Sequence, residues 1–272
     1  FYTRGRLPPA PRYFAATGRN LRRMSRVRWR RGLVIFRIDN DKSMIGEHKM
    51  DSDLLYFLAR WWHVVFGITW IGLLYYFNFV QTEYFKEADP DARTDAFVKL
   101  APRALWWFRW GAMFTFLTGL VMLGILGRGT SFAITVGSVL GILMFLNVWL
   151  IIWPNQKIVI ASNEQVKGGG EALPEAAGAA PKAAVASRTN TLFSVPMLFF
   201  MVGSAHLASA SGLGFGVIGS ASTAALAVSL LIIAALEANA IFGKPGPMAS
   251  VRGVIVSSLV LTAVLWAVLA YL

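Results

Sequence analysis

Cysteine is absent from all 272 residues. Its absence excludes disulfides, thiolate metal sites and a CxxCH haem attachment in this chain. Histidine is scarce, with three residues: His48, His63 and His206. No P-loop, Rossmann glycine pattern, nucleophile elbow or HExxH zinc motif occurs. Gly124, Gly127 and Gly129 lie in no phosphate-binding context. Acidic residues are few, 14 against 26 Lys and Arg, for a net charge of +12. A strongly basic chain raises the question of nucleic acid. Here 13 of the 26 basic residues crowd into positions 1–49. Residues 50–272 are nearly neutral, so no nucleic-acid partner is expected.

Apolar residues make up 56% of the chain and the mean hydropathy is +0.55. Soluble domains hold roughly 45–50% apolar residues. Ten Trp and nineteen Phe suit a membrane protein with interfacial aromatic belts. The fold class expected is all-α, a polytopic integral membrane bundle of about six transmembrane helices.

Residues 1–49 are rich in arginine, poor in acids until Asp39, and without a long apolar run. Three readings compete: an organelle-type presequence, a basic membrane-surface arm, or an upstream reading frame joined to a chain that starts at Met44 or Met50. The third is favoured, and the transmembrane domain is placed at 50–272. His48 receives no role.

The first span runs from Leu54 to Val80 and is broken only by Arg60, His63, Thr69 and Asn78. About 20 apolar residues suffice to cross hydrocarbon. His63, Gly67, Trp70 and Leu74 step by four, three and four, so they share one helix face. That face is either a packing seam or one wall of a flat cofactor's pocket. Trp62, Phe66 and Trp70 read as lipid contacts and core.

Gln81–Arg103 reads as a loop with a short surface helix. The second span, 104–126, opens on Trp106, Trp107 and Trp110. Gly127-Arg128-Gly129 leads into the third span, 131–153, where Pro154 stops or kinks the helix. Residues 155–189 read as a helix start followed by a flexible Ala/Gly/Pro linker. The fourth span, 190–207, contains Pro196, tolerable if neighbours satisfy the freed carbonyl. Spans five and six are 217–240 and 251–272. No stretch between spans is long enough for a soluble domain.

Basic residues orient the bundle. The loops after spans one, three and five carry Lys86, Arg93, Lys99, Arg103, Lys157, Lys167, Lys182, Arg188 and Lys244, whereas the other loops carry only Arg128. The core N-terminus is therefore expected outside. A basic arm at 1–49 would orient the chain the other way.

Polar residues within the spans fall at two levels. His63 lies nine residues into the first span, roughly 14 Å deep at 1.5 Å per residue. His206 ends the fourth span in the same half of the membrane, with a depth mismatch on the order of 10 Å. Two such histidines could ligate one b-type haem axially, or each could hydrogen-bond a neighbouring helix. The inner level holds Arg109, Asn147, Asn155, Gln156, Asn190, Glu237 and Asn239. An unpaired charge in an apolar helix is expensive, so Arg109 and Glu237 are expected to pair. They form either a structural lock or, with Asn190, a pocket for a small anion read by Arg109. Arg60 is expected to snorkel to the outer surface.

Five blocks in order carry a resemblance: RWWHVVFGITWIGLLYYFNFVQ (60–81), PRALWWFRWGAMFTFLTGLVML (102–123), NVWLIIWPNQKIV (147–159), RTNTLFSVPMLFFMVGSAH (188–206) and LEANAIFG (236–243). Together they resemble the membrane region of bacterial urate hydroxylases of the PuuD type, the urate oxidase N-terminal domain family. The resemblance implies a multi-helix inner-membrane protein linked to oxidation of urate to 5-hydroxyisourate. Full-length members pass electrons to a C-terminal cytochrome c domain. No such domain occurs in this sequence, so a separate cytochrome c is the expected acceptor. His63 and His206 lie in matching blocks, as do Arg109, Asn190 and Glu237.

Two functions follow as expectations. One is a membrane oxidoreductase acting on urate or a related purine, with haem b held by His63 and His206. The other is a non-catalytic scaffold or small-solute permease gated by the inner polar cluster. The bilayer is a partner in either case, and self-association within it stays open.

Overall fold

The structure is a computed structural model that describes residues 41–206 and 222–272. Side chains are described from 51 to 204, Arg128 excepted, and from 222 onward. The described residues are mostly helical, with no strand among them. The chain runs α1 (Asp41–Tyr75), α2 (Thr82–Glu87), α3 (Pro90–Lys99), α4 (Ala101–Leu126), α5 (Phe132–Leu146), α6 (Trp153–Lys167), α7 (Ala176–His206), α8 (Thr223–Phe242) and α9 (Val251–Tyr271). A widened π turn joins α1 to α2 at Tyr76–Gln81, and another joins α5 to α6 at Asn147–Ile152.

Six helical runs are long and apolar enough to cross a membrane: Asp51–Glu87, Ala101–Leu126, Phe132–Lys167, Ala176–Ser204, Thr223–Phe242 and Val251–Tyr271. The chain is a multi-pass helical membrane protein. Exposed apolar side chains such as Ile68, Leu150 and Leu231 are what a surface solvated by lipid tails carries.

α7 is the centre. About 67% of its apolar window is buried, against 17% for the first two spans. It packs on α5, α6, α8 and α9. Its buried stripe reads Ala179, Ala183, Ala186, Asn190, Phe193, Met197, Phe200, alternating steps of four and three along one face. The helix thus begins at Ala176, well before the expected start at Asn190. The stretch 176–189 is packed helix, not flexible linker. Its small alanines let the backbones approach, as membrane interfaces favour. Gly137 does the same farther along α7: a Cβ there would come within 3.0 Å of Met201 Cγ and 3.3 Å of the Met197 carbonyl.

Pro196 lies inside α7 and has no N–H for the carbonyl of Leu192, four residues back. Ser258 of α9 supplies the donor, with its hydroxyl 2.7 Å from Leu192 O. Pro154 does not end its helix, and α6 continues to Lys167. The π turn just before it shifts the bonding pattern: the Trp153 N–H reaches back five residues to Val148 O. Asn155 Nδ2 serves the Ile151 carbonyl at 2.7 Å.

α1 and α4 pack through the face expected from His63, Gly67, Trp70 and Leu74. Trp70 and Leu74 are buried. Gly111 of α4 lies so close that a Cβ would meet the Trp70 backbone nitrogen at 3.2 Å. That face is a helix–helix seam over Trp70, whereas Trp62 stacks on Phe66 and stays exposed.

Outside the spans, α3 is tied to the bundle by charge. Asp95 accepts from Lys99 at 2.7 Å and from Lys167 of α6. Both lysines hold its carboxyl below the usual carboxylate range, Lys167 foremost.

Candidate functional site

At the end of the bundle that carries α2 and α3, the two π turns and α7 enclose a cavity of about 210 Å³. Two ring pairs form much of its wall: Phe77 with Phe108, edge-on at 5.5 Å, and Phe85 with Phe97 at 4.5 Å. Small residues of α7, Ala180, Ala183 and Ala184, leave the space open.

The polar lining is Asn78, Gln81, Thr82, Gln156, Ser187 and Arg188. Asn78 is committed within the fold: its Nδ2 donates to Leu74 O at 2.9 Å and to Ser187 Oγ at 2.8 Å. Thr82 donates to Phe77 O at 2.7 Å, the extra carbonyl that the π turn leaves. Arg188 is different. It is only 6% exposed, and its Nη1 has no hydrogen-bond partner. Gln81 Oε1 is also buried and unpartnered. Glu83, whose field reaches Arg188, is held by Lys86 at 2.8 and 2.9 Å and makes no ion pair with Arg188. Among the lining residues Arg188 is the sole ionisable group. Arg188 and Gln81 thus both border the cavity, beside its aromatic walls, and each holds a buried polar atom without a partner.

The residues singled out from the sequence are placed as follows. Asn190 and Glu237 come together through Asn147. Asn147 Nδ2 donates to Asn190 Oδ1 at 3.0 Å and to Glu237 Oε2 at 3.1 Å, and Asn190 Nδ2 donates to Met144 O at 2.9 Å. This knot ties α8 and α7 to the π turn that follows α5. Arg109 does not join it. Its guanidinium carbon lies 3.2 Å from the Trp153 ring centroid, a cation–π contact, and its Nη1 is unpartnered. The expected Arg109–Glu237 pair is absent among the described residues, because Trp153 already covers the cation. Arg109, Asn190 and Glu237 are not among the residues that line the cavity. Arg60 is exposed and lies over Tyr56, 4.6 Å from its centroid.

His63 packs on α4 where Gly119 removes a side chain, and a Cβ there would lie 3.2 Å from its Cε1. Its Nδ1 is 2.8 Å from the Thr115 carbonyl. A carbonyl only accepts, so Nδ1 carries the proton and Nε2 keeps its lone pair. Metal-ligating histidines are commonly held this way, so His63 fits the role of one axial haem ligand. His206 closes α7, and its side chain lies outside the described residues. No group of three or more metal-binding side chains occurs among the described residues.

The class is thus set: a six-span helical membrane protein with a partly open, aromatic-walled cavity bordered by Arg188. Residues 125–228 match the family model described as urate oxidase N-terminal. The match covers less than half of the chain, and two of the five blocks that carry the resemblance, 147–159 and 188–206, fall within it. It includes the second π turn, α6 and α7, and so the cavity wall that bears Gln156, Ser187 and Arg188. No curated protein matches, and no solved structure matches.

Arg188, Gln81 and the phenylalanine walls were missed as a site in the sequence. Arg188 was counted among loop charges, because the residues before it read as a linker. The signal was there in retrospect: an arginine two residues before Asn190, at the head of a block that resembles the family.

Proposed function

We propose that this chain is a membrane redox subunit of the urate hydroxylase type, lodged in a bacterial inner membrane with its core N-terminus in the periplasm. It oxidises urate or a related purine and passes electrons to a separate cytochrome c. The observation that carries this reading is that the family match includes the α6 and α7 side of the Arg188 cavity, with Gln156, Ser187 and Arg188. Water adds a hydroxyl at C5 of urate, two protons are released, and two electrons leave singly to two ferric cytochromes. Arg188 and the aromatic walls bind and orient the purine and keep bulk water from its faces. His63 would hold a haem through Nε2, with His206 as the second ligand, and a haem there supplies one-electron transfer. The excess of Lys and Arg on the α3 side supports the orientation.

One observation favours a second reading. The described cavity lining offers no carboxylate, imidazole or phenol as a general base, which suits a purine permease or binding scaffold. The experiment is reduction of added cytochrome c by the purified full chain with urate, alongside an optical spectrum. Urate-dependent reduction and a Soret band lost in His63→Ala support the redox reading. A folded, colourless preparation without turnover overturns it and leaves transport.

A further inference from the structure

We infer that the outward face where α4 meets α6 binds the phosphodiester headgroup of an anionic glycerophospholipid, with Arg109 and Lys157 as its cationic contacts and Trp153 as the platform that holds both. The inference is independent of what the Arg188 cavity takes up.

Arg109 lies about 12 Å into α4, counted from Ala101 at 1.5 Å per residue. A cation at that depth is costly unless something compensates it. Neither Arg109 nor Lys157 makes an ion pair among the described residues. Nearby acids are already engaged, Glu83 by Lys86, and Asp95 by Lys99 and Lys167. What holds both cations instead is one indole. The Arg109 guanidinium carbon lies 3.2 Å from the Trp153 ring centroid, and Lys157 Nζ lies 5.6 Å from it. An aromatic ring serves the face of a guanidinium and leaves its N–H edge for an anion. On that edge only Nη1 is fully covered; Nε and Nη2 make no hydrogen bond and stay accessible on a half-buried residue. Lys157 is exposed.

The surroundings point to lipid rather than water. Leu150, two turns before Lys157, is 68% exposed, and Trp107 is 60% exposed. Trp106, Trp107, Trp110, Trp149 and Trp153 gather at this level, with Trp110 and Trp149 in edge-on contact at 5.9 Å. Tryptophan concentrates at the headgroup boundary, where phosphodiesters lie. A shallow depression lined by Pro102, Arg103, Trp106 and Trp107 lies one turn from Arg109 along α4 and can seat the glycerol and upper acyl chain. A guanidinium takes two phosphate oxygens at once, an ammonium adds a point charge, and basic sites between transmembrane helices are a known way of holding lipid headgroups.

The test is native mass spectrometry of the full chain in detergent micelles, titrated with dioleoylphosphatidylglycerol. Dioleoylphosphatidylcholine, with the same phosphodiester but no net charge, is the lipid control, and inorganic phosphate distinguishes a headgroup from a free ion. The wild type should bind its first phosphatidylglycerol at least about tenfold more tightly than phosphatidylcholine, and excess phosphate should not displace it. The double variant Arg109→Gln/Lys157→Gln should weaken that first site by about tenfold or more. Arg93→Gln/Lys244→Gln removes the same charge away from α4 and α6 and should change it by less than about threefold. If the Arg109 variant does not fold, Lys157→Glu takes its place, because that side chain is exposed, and the same loss is expected. Three results would overturn the site: phosphatidylglycerol bound no better than phosphatidylcholine, equal binding by wild type and these variants, or equal losses in the Arg93/Lys244 control. Displacement by inorganic phosphate would overturn the lipid assignment, since the cations would then hold a free ion.

Discussion

Ser258→Ala tests whether a hydroxyl on α9 completes the helix that Pro196 interrupts. Ser258 is buried, and its Oγ lies 2.7 Å from Leu192 O. In an ordinary helix the residue four positions on would donate to that carbonyl. Here that residue is Pro196, which has no N–H. Interhelical hydrogen bonds in membranes average about 0.6 kcal/mol and reach about 1.7. Pro196 removes the ordinary donor to the Leu192 carbonyl, so the upper part of that range applies. Ser258→Ala should cost about 1–2 kcal/mol. Ser229→Ala is the control. Its hydroxyl donates to Ala225 O at 2.9 Å in its own helix, where the backbone already serves that carbonyl, and its loss should cost under about 0.6 kcal/mol. The decisive comparison is the cycle with Pro196→Ala, which restores the backbone donor. In that background Ser258→Ala should be milder by about 1 kcal/mol. The assay is reversible unfolding in mixed detergent–SDS micelles, followed by tryptophan fluorescence and far-UV circular dichroism. Equal losses in both backgrounds would refute the reasoning, because Ser258 would then be acting only as packing.

Asn147→Ala and Asn190→Ala should each destabilise by about 1–3 kcal/mol and couple non-additively in the same unfolding assay, since each side chain serves the other. Independent effects would show that the knot is incidental. Gly119→Ala places a methyl 3.2 Å from His63 Cε1. It should turn the imidazole off the Thr115 carbonyl, a loss visible as a shifted His63 ring signal in NMR of selectively labelled protein. The Asp95 latch has a pH signature. Its carboxyl is held low by Lys167 and Lys99, so its contribution is present above the ordinary carboxylate range near about pH 4. That contribution is lost as pH falls through the lower folded value. Hydrogen exchange of α3, corrected for intrinsic rate, should be constant from about pH 5 to 8 and rise below about pH 4. Asp95→Asn should show the raised exchange at neutral pH, and wild-type-like protection in that variant would exclude the latch.

Much of the architecture was legible because lipid imposes a coarse rule. Any crossing helix needs about 20 apolar residues, and that rule found the second and sixth spans nearly at their helical limits, and the start but not the end of the third. It misjudged 176–189, since alanine and glycine score as linker when hydropathy is averaged. Their meaning here is positional: Ala179, Ala183 and Ala186 are small where α7 meets its neighbours. At Pro154 the sequence leaves a stop or a kink open, because it does not reveal the π turn beside the proline through which the helix continues. The seam of His63, Gly67, Trp70 and Leu74 was readable from helical spacing, but its partner face on α4 was not.

The sequence by itself determined the class: an all-helical, six-span chain without thiol chemistry, basic on one side, with polar side chains too costly in lipid to be random. Those properties are sums and spacings along one strand of covalent chain. Only the tertiary structure decided which polar groups satisfy one another. Asn190 and Glu237 are joined through Asn147, and Arg109 is covered by Trp153. Arg188 and Gln81, far apart in the chain, are left without partners at one aromatic cavity. Whether a donor is already used depends on angles and distances between helices, and those exist only once the helices have packed.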